Sequence, residues 1–357
     1  MGDSSGLQVR KLLWGVGLVL LLNGLVALGA VWWAGFSLLA FQIVLLASSL
    51  MIALAFAWQW RRERRNRHSH DLLNQSLQDA LRELHHQIEN DHKELEMARK
   101  VHEGLLSLND PQIPGIHIAS RCIPAQNLGG DFYAYLERHG DGFLKKSATQ
   151  TGVVEYLGRN ETMLGVIIGD VAGHGVSSAL VMALSNGLMT EMGKNTRLPG
   201  QLLTQSNERI YHYIHTSNIR YLTAFYGILS VESGVFRYAK AGHVCPYVLR
   251  QDGSIEVLES EGIFLGMYPQ ESYEEKHCEL APGDRLVLFT DGVTELRNPQ
   301  GEMLGEERLK ALVAQYRFLP VAEAIEKVFR SLQEFSRDAP ARDDQTLVII
   351  EYRPETP

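Results

Sequence analysis

MLGVIIGDVAGHGVSSALVMALSNGLMTEM, residues 163–192, turns from one kind of secondary structure to another around a single acid. Met163–Ile168 is a short apolar run of strand length. Gly169-Asp170 ends it, and Val176–Met192 follows with the length and residue types of a helix. Working outward, the same two kinds of segment recur in groups. Strands are expected at Ile116–Arg121, Thr223–Val231, Val235–Ala239, Tyr247–Arg250, Arg285–Phe289 and Thr346–Glu351. Helices come in consecutive pairs, Val176–Met192 with Leu202–His215 and then 306–315 with 321–336. Runs of strands beside grouped helices predict an α+β fold of two antiparallel sheets flanked by helices. A doubly wound nucleotide-binding sheet is disfavoured, because strict strand–helix alternation and a G-x-G-x-x-G after the first strand are both missing.

Four aspartates stand at strand edges beside glycine or a second acid: Asp131 in Gly129-Gly130-Asp131, Asp170 in Ile168-Gly169-Asp170, Asp291 in Thr290-Asp291-Gly292 and Asp343 in Arg342-Asp343-Asp344. Taken singly, each reads as an ordinary turn residue. Together they point to one purpose, since carboxylates gathered in a cleft repel one another unless cations neutralise them. Oxygen-only ligands favour Mg²⁺ or Mn²⁺ over zinc.

The ordered blocks GGDFY (129–133), GVIIGDVAGHG (165–175), AKAGHVCP (239–246), LVLFTDGVTE (286–295) and ARDDQTLV (341–348) resemble the SpoIIE/RsbU branch of the metal-dependent, protein phosphatase 2C-like superfamily. Ala98–Leu106 is similar to the lead-in helix of that branch, so the resemblance covers about residues 95–353. It implies a four-layer α-β-β-α sandwich and hydrolysis of phosphoserine or phosphothreonine, commonly on anti-sigma-factor antagonists of the STAS type. Position by position, it implies that Asp131, Asp170, Asp291 and Asp343 are the catalytic, metal-holding carboxylates of a site for two divalent cations, Mn²⁺ or Mg²⁺. The main-chain carbonyl of Val171 would complete the shell, and Asp344 would support the ligands from behind. Two such cations activate water at neutral pH and neutralise charge at phosphorus during in-line attack, so no phosphoenzyme is required. His174 either contacts phosphate, serves as an acid, or shapes its loop; His243 reads as structural. The chain departs from the family at Ala134, where a second acid is usual, which bears on metal affinity and preference. The stretch 137–162 is longer than the usual link and reads either as a flap or as a tolerated insertion.

Ahead of this domain, Leu12–Trp58 holds no charged residue and is too long for one crossing of a bilayer core about 30 Å thick. Two antiparallel transmembrane spans are expected, near 12–33 and 37–59, turning around Trp33-Ala34-Gly35-Phe36, with Asn23 either a tolerated polar residue facing the neighbouring helix or a polar contact for membrane input. Arg10 and Lys11 before the first span, and Arg61, Arg62, Arg64, Arg65 and Arg67 after the second, put both ends in the cytoplasm. The expected location is therefore the inner (cytoplasmic) membrane, multi-pass, with the catalytic domain in the cytoplasm.

Residues 61–108 lack proline and space Leu77, Leu81, Leu84, Ile88, Leu95, Ala98 and Leu105 by threes and fours, a long helix. Asp91 and His102 interrupt the heptads, leaving two readings: a parallel coiled coil that makes a homodimer, or a helix packed on its own catalytic domain. Its histidines, His68, His70, His85, His86, His92 and His102, read as a solvated face. The expected division is a membrane anchor over 1–60, a connector over 61–108 and a phosphatase domain over 109–357. A net charge of −8 with no dominant basic face argues against nucleic acid as a partner. Three scattered cysteines give neither a disulfide framework nor a zinc site. A nucleotide cyclase fails because GGDFY lacks the Glu-Phe of a GGDEF motif. The alternative function is a catalytically silent phosphatase-like scaffold, against which the retention of all four acids counts.

Overall fold

The computed structural model describes residues 38–106, 110–139, 161–173, 175–214, 219, 221–337, 339 and 341–354, with Trp14, Gly17, 21–26 and 28–29. Most of the first expected span, its turn at 33–36, His174 and residues 140–160 of the long stretch lie outside these. The chain forms two compact units, Met1–Asp91 and His92–Pro357.

In the first unit, helix α1 (Leu38–Leu106) begins. Among the described residues its Gln42–Leu106 portion is the one helix long and apolar enough to cross a membrane, with a mean hydropathy of 1.9 in its most apolar window. The Asn23 amide donates to the Ser48 hydroxyl at 3.3 Å, so the lone polar group of the first apolar stretch finds its partner on the second. Where the apolar run ends, Arg62 and Arg64 lie over the rings of Trp58 and Trp60, at 5.4 and 4.6 Å. Such pairs suit a water–hydrocarbon boundary, where an amphipathic ring faces both media.

The second unit holds two five-stranded antiparallel sheets. One is ordered β1 (Ile116–Ile123), β10 (Gln345–Tyr352), β9 (Arg285–Phe289), β6 (Tyr247–Leu249) and β7 (Ile255–Val257). The other is ordered β2 (Phe132–His139), β3 (Thr162–Val171), β4 (Leu222–Ser230), β5 (Val235–Ala241) and β8 (Glu275–Glu279). Helices α2 (Val176–Gly193) and α3 (Pro199–Ile214) cover the β2–β8 sheet, while α5 (Gly305–Gln315) and α6 (Val321–Ser336) cover the other; α4 (Asp291–Thr294) is a single turn.

Three separate cores fill the three interfaces. Met182, Leu203 and Ile210 pack on Ile167 and Tyr226. Ile168, Phe225 and Phe236 meet Leu286, Leu288 and Val348 between the sheets. Val287, Phe289 and Ile349 pack on Leu309, Val328 and Leu332. The four layers match the expected α-β-β-α sandwich. Strands β2, β7 and β8 were not expected. The last two are sheet edges with few inward residues, and β8 reads Glu-Lys-His-Cys-Glu, the polar composition by which edges avoid further pairing.

His102 corrects the reading of a solvated face. Its side chain is buried, and its Nε2–H donates to the Gly129 carbonyl at 3.0 Å. Leu106, four residues on, joins the core beneath α2 and α3, so the last turns of α1 pack on the domain they lead into.

Candidate metal centre

Antiparallel register explains why the four acids meet. Phe132 of β2 pairs with Gly169 of β3, which sets Asp131, just before β2, beside Asp170 near the end of β3. In the facing sheet Leu347 pairs with Phe289, which brings the start of β10, with Asp343 and Asp344 before it, to the end of β9, with Asp291 after it. Each sheet thus contributes acids to the same edge of the sandwich.

Burial grades across this edge. Asp131 is 1% exposed at the floor, Asp170 and Asp291 are half-buried, and Asp343 is exposed at the rim. The Asp131 carboxylate is clamped from the opposite sheet: Thr290 and Thr346 hydroxyls both donate to its Oδ2, at 2.7 and 2.6 Å. The Thr346 amide in turn donates to Thr290 Oγ1 at 3.1 Å. With two donors on Oδ2, Asp131 keeps Oδ1 for the site. Asp344 ties down the approach to Asp131. Its Oδ1 accepts the amide of Ala125 at 2.7 Å, and its Oδ2 accepts those of Gly130 and Asp131 at 2.6 and 3.3 Å. The Asp344 amide donates to Asp343 Oδ1 at 2.9 Å.

Burial and neighbouring negative charge raise three of these carboxyls. Burial, and then the charge of Asp170, push the Asp131 carboxyl well above the carboxylate range, against the two threonine hydroxyls. Asp170 is pushed up to about 8 by burial and then by Asp291, Asp343 and Asp344. Asp291 is raised by burial and by Glu295. Acids in this state bind a proton or a cation more readily than isolated ones.

The donors fit hard divalent cations. All are oxygens, and at Gly130 even a methyl group would stand 2.7 Å from the Val171 carbonyl oxygen and 3.2 Å from Asp170 Oδ1, so these two oxygens converge on one small space. Among the described residues no three His, Cys, Asp or Glu side chains stand in a ready-made coordinating group. Ala134, fully buried, packs with Phe132, Leu136 and Ile167 in the core under α2 and α3, on the helix side of its sheet. His243 is buried between the sheets' site-side ends, and the sequence alone gave no reason to connect it to the acids. Nor did it single out Thr290 and Thr346, although each lies within three residues of an expected ligand.

Thr346→Val keeps shape and removes one donor to Asp131. The expected result is Mn²⁺ affinity lower by about 10–100-fold, the usual cost of losing an outer-shell partner, read by calorimetric titration. Unchanged affinity would show that the clamp does not orient the carboxylate.

The family Stage II sporulation protein E (SpoIIE) matches residues 160–353, more than half of the chain, and this span holds Asp170, Asp291 and Asp343. The chain belongs to the SpoIIE family. It is 27% identical over 258 residues to phosphoserine phosphatase RsbU of Bacillus subtilis (strain 168), covering 72% of this chain and 69% of RsbU. With phosphoserine phosphatase RsbP of the same organism it shares 25% over 269 residues, covering 74% of this chain and 59% of RsbP. Among solved structures, the SiaA-PP2C domain of Pseudomonas aeruginosa superposes with a TM-score of 0.58 at 20% identity, covering 74% of this chain and 98% of that domain. This SpoIIE-family chain therefore carries a phosphatase domain of the PP2C fold.

Proposed function

We propose that this SpoIIE-family phosphatase removes phosphate from phosphoserine or phosphothreonine of a bacterial regulatory protein, with a STAS-type anti-sigma-factor antagonist as the substrate class. The observation that carries the reading is the convergence of acids from both sheets on one edge, which the strand register fixes. Asp131, Asp170, Asp291 and Asp343, with the Val171 carbonyl, would hold two divalent cations, Mn²⁺ or Mg²⁺. When bound, these supply a water nucleophile at neutral pH and neutralise charge at phosphorus. The chain's own part is orientation. Thr290 and Thr346 fix Asp131, Asp344 fixes the backbone around it, and Asp343 at the exposed rim leaves a phosphoprotein room to approach. The names of RsbU and RsbP support the phosphoserine class.

The same proposal places the catalytic domain, 109–357, in the cytoplasm behind a two-span inner-membrane anchor over 1–60. Support comes from the uncharged run, the Asn23–Ser48 contact and the arginines that follow Trp60. The connector, 61–108, would pair two copies through Leu77, Leu81, Leu84 and Ile88, all exposed on one helix.

The test is hydrolysis of p-nitrophenyl phosphate and of a phosphoserine protein by the full chain in detergent, with Mn²⁺, Mg²⁺ or chelator. Turnover in either cation and none in chelator is expected. A folded, cation-loaded chain inert on both substrates would leave the silent scaffold as the better reading.

A further inference from the structure

His243 lies in AKAGHVCP, a block that holds none of the acids. Its side chain is almost wholly buried, with Nε2 3.1 Å from the Phe289 carbonyl oxygen and Nδ1 2.8 Å from Thr223 Oγ1. A carbonyl only accepts, so Nε2 carries the hydrogen. Burial holds the ring neutral, pushing its pKa down to about 3 against the pull of the Phe289 carbonyl and with help from Lys240. Nδ1 is then an acceptor, and the Thr223 hydroxyl donates to it. Both nitrogens of the neutral imidazole are satisfied, each from a different sheet.

The two partners are placed to matter. Phe289 closes β9, two residues before Asp291. Thr223 of β4 stands opposite Asp170 of β3 in the antiparallel ladder, and directly opposed residues project from the same face about 4.5–5.5 Å apart at Cβ. The ring therefore spans from the backbone that delivers Asp291 to the strand neighbour of Asp170. The ring thus braces the two strand ends, one from each sheet, that present Asp170 and Asp291 to the site.

We propose that His243 is a positioning residue: by clasping Thr223 and the Phe289 carbonyl it sets the separation of Asp170 and Asp291, and so the affinity of the site for divalent cations. This rests on the reading of the acid cluster as a cation site. The clasp differs from a packing role in what it requires. Hydrogen-bonding capacity at both ends must count, and filling the same space with an apolar side chain must not suffice.

The experiment titrates the full chain with Mn²⁺ and follows free Mn²⁺ by electron paramagnetic resonance. Variants are His243→Leu, which fills space without bonds, His243→Gln, which keeps a neutral donor and acceptor, and Thr223→Val, which deletes one hydroxyl at constant shape. His243→Leu is expected to raise the Mn²⁺ Kd about 10–100-fold. Thr223→Val moves it the same way by about 3–10-fold, the weight of one hydrogen bond. His243→Gln recovers most of the affinity. A folded Thr223→Val chain that binds Mn²⁺ like the parent, or a Gln variant as weak as the Leu variant, overturns the clasp. Should His243→Leu fail to fold, those two variants still decide. Asp170→Asn separates the two levels of the argument. A parent that binds no Mn²⁺, or binding that survives Asp170→Asn, overturns the cation site and the clasp together. Parent binding that is lost in Asp170→Asn but intact in Thr223→Val overturns the clasp alone.

Discussion

Asp170→Asn is expected to lower cation-dependent hydrolysis of p-nitrophenyl phosphate by on the order of 10³-fold or more, at least the loss that follows removal of one preorganised oxyanion donor. The substitution keeps the side chain's shape and the backbone pairing of β3 with β4, so the loss lies in charge and in one ligand oxygen. Asp170 is crowded by burial and by Asp291, Asp343 and Asp344. Removing its charge relieves that repulsion. In chelator, the variant should therefore unfold at the same temperature as the parent or higher. In Mn²⁺ the order reverses, because a ligand that binds only the folded parent raises the parent's midpoint alone. Scanning calorimetry of both chains in both conditions reads this crossing. Retained turnover, or a lower midpoint in chelator, would show that Asp170 holds the fold together rather than a cation.

The acids were legible in the sequence because each combines three local signals: an apolar strand, a turn-forming neighbour and a carboxylate. The inner strands were legible for a similar reason, since Arg285–Phe289 and Gln345–Tyr352 are buried on both faces and read as apolar runs. Local signals failed where a residue's role is set by a partner far along the chain. Thr290 and Thr346 look like ordinary strand-end residues until the stacking of the sheets brings them onto Asp131, 159 and 215 residues away. His243 reaches 46 residues on to Phe289 and 20 back to Thr223, and no periodicity records either contact. His102 is different, because its signal was present. It stands four residues before the buried Leu106, on the same helical face, and a polar residue at a core position needed a partner that only the folded Gly129 carbonyl supplies. Ala134 makes the converse point: the departure from the family pattern was plain in the sequence, but its place on the helix side of β2, packed with Phe132, Leu136 and Ile167, was not.

Asp344→Ala should separate support from ligation. Three backbone amides, those of Ala125, Gly130 and Asp131, converge on this one carboxylate from the loop that carries the chain from β1 across to β2. Gly129 lies so close to the Asp344 carboxylate that a side chain at 129 would occupy its place. Truncation leaves three donors facing a cavity. Each buried amide without an acceptor costs about 1–3 kcal/mol, with water entering at the rim reducing the sum, so a loss of about 3–6 kcal/mol is expected. For a domain of this size that corresponds to a midpoint lower by about 6–24 °C. Asp344→Asn keeps one acceptor oxygen and turns an NH₂ toward the remaining amides, which should place it between parent and Ala. The contrast with Asp170 is one of sign. In chelator Asp170→Asn holds or gains stability, whereas Asp344→Ala loses it in chelator and in Mn²⁺ alike. Its weaker Mn²⁺ binding then follows from displacement of Asp131, whose own amide is one of the three. A midpoint equal to the parent's in chelator would mean that the 125–131 loop is held by its other contacts, among them the His102 bond to the Gly129 carbonyl. Asp344 would then belong with the ligands.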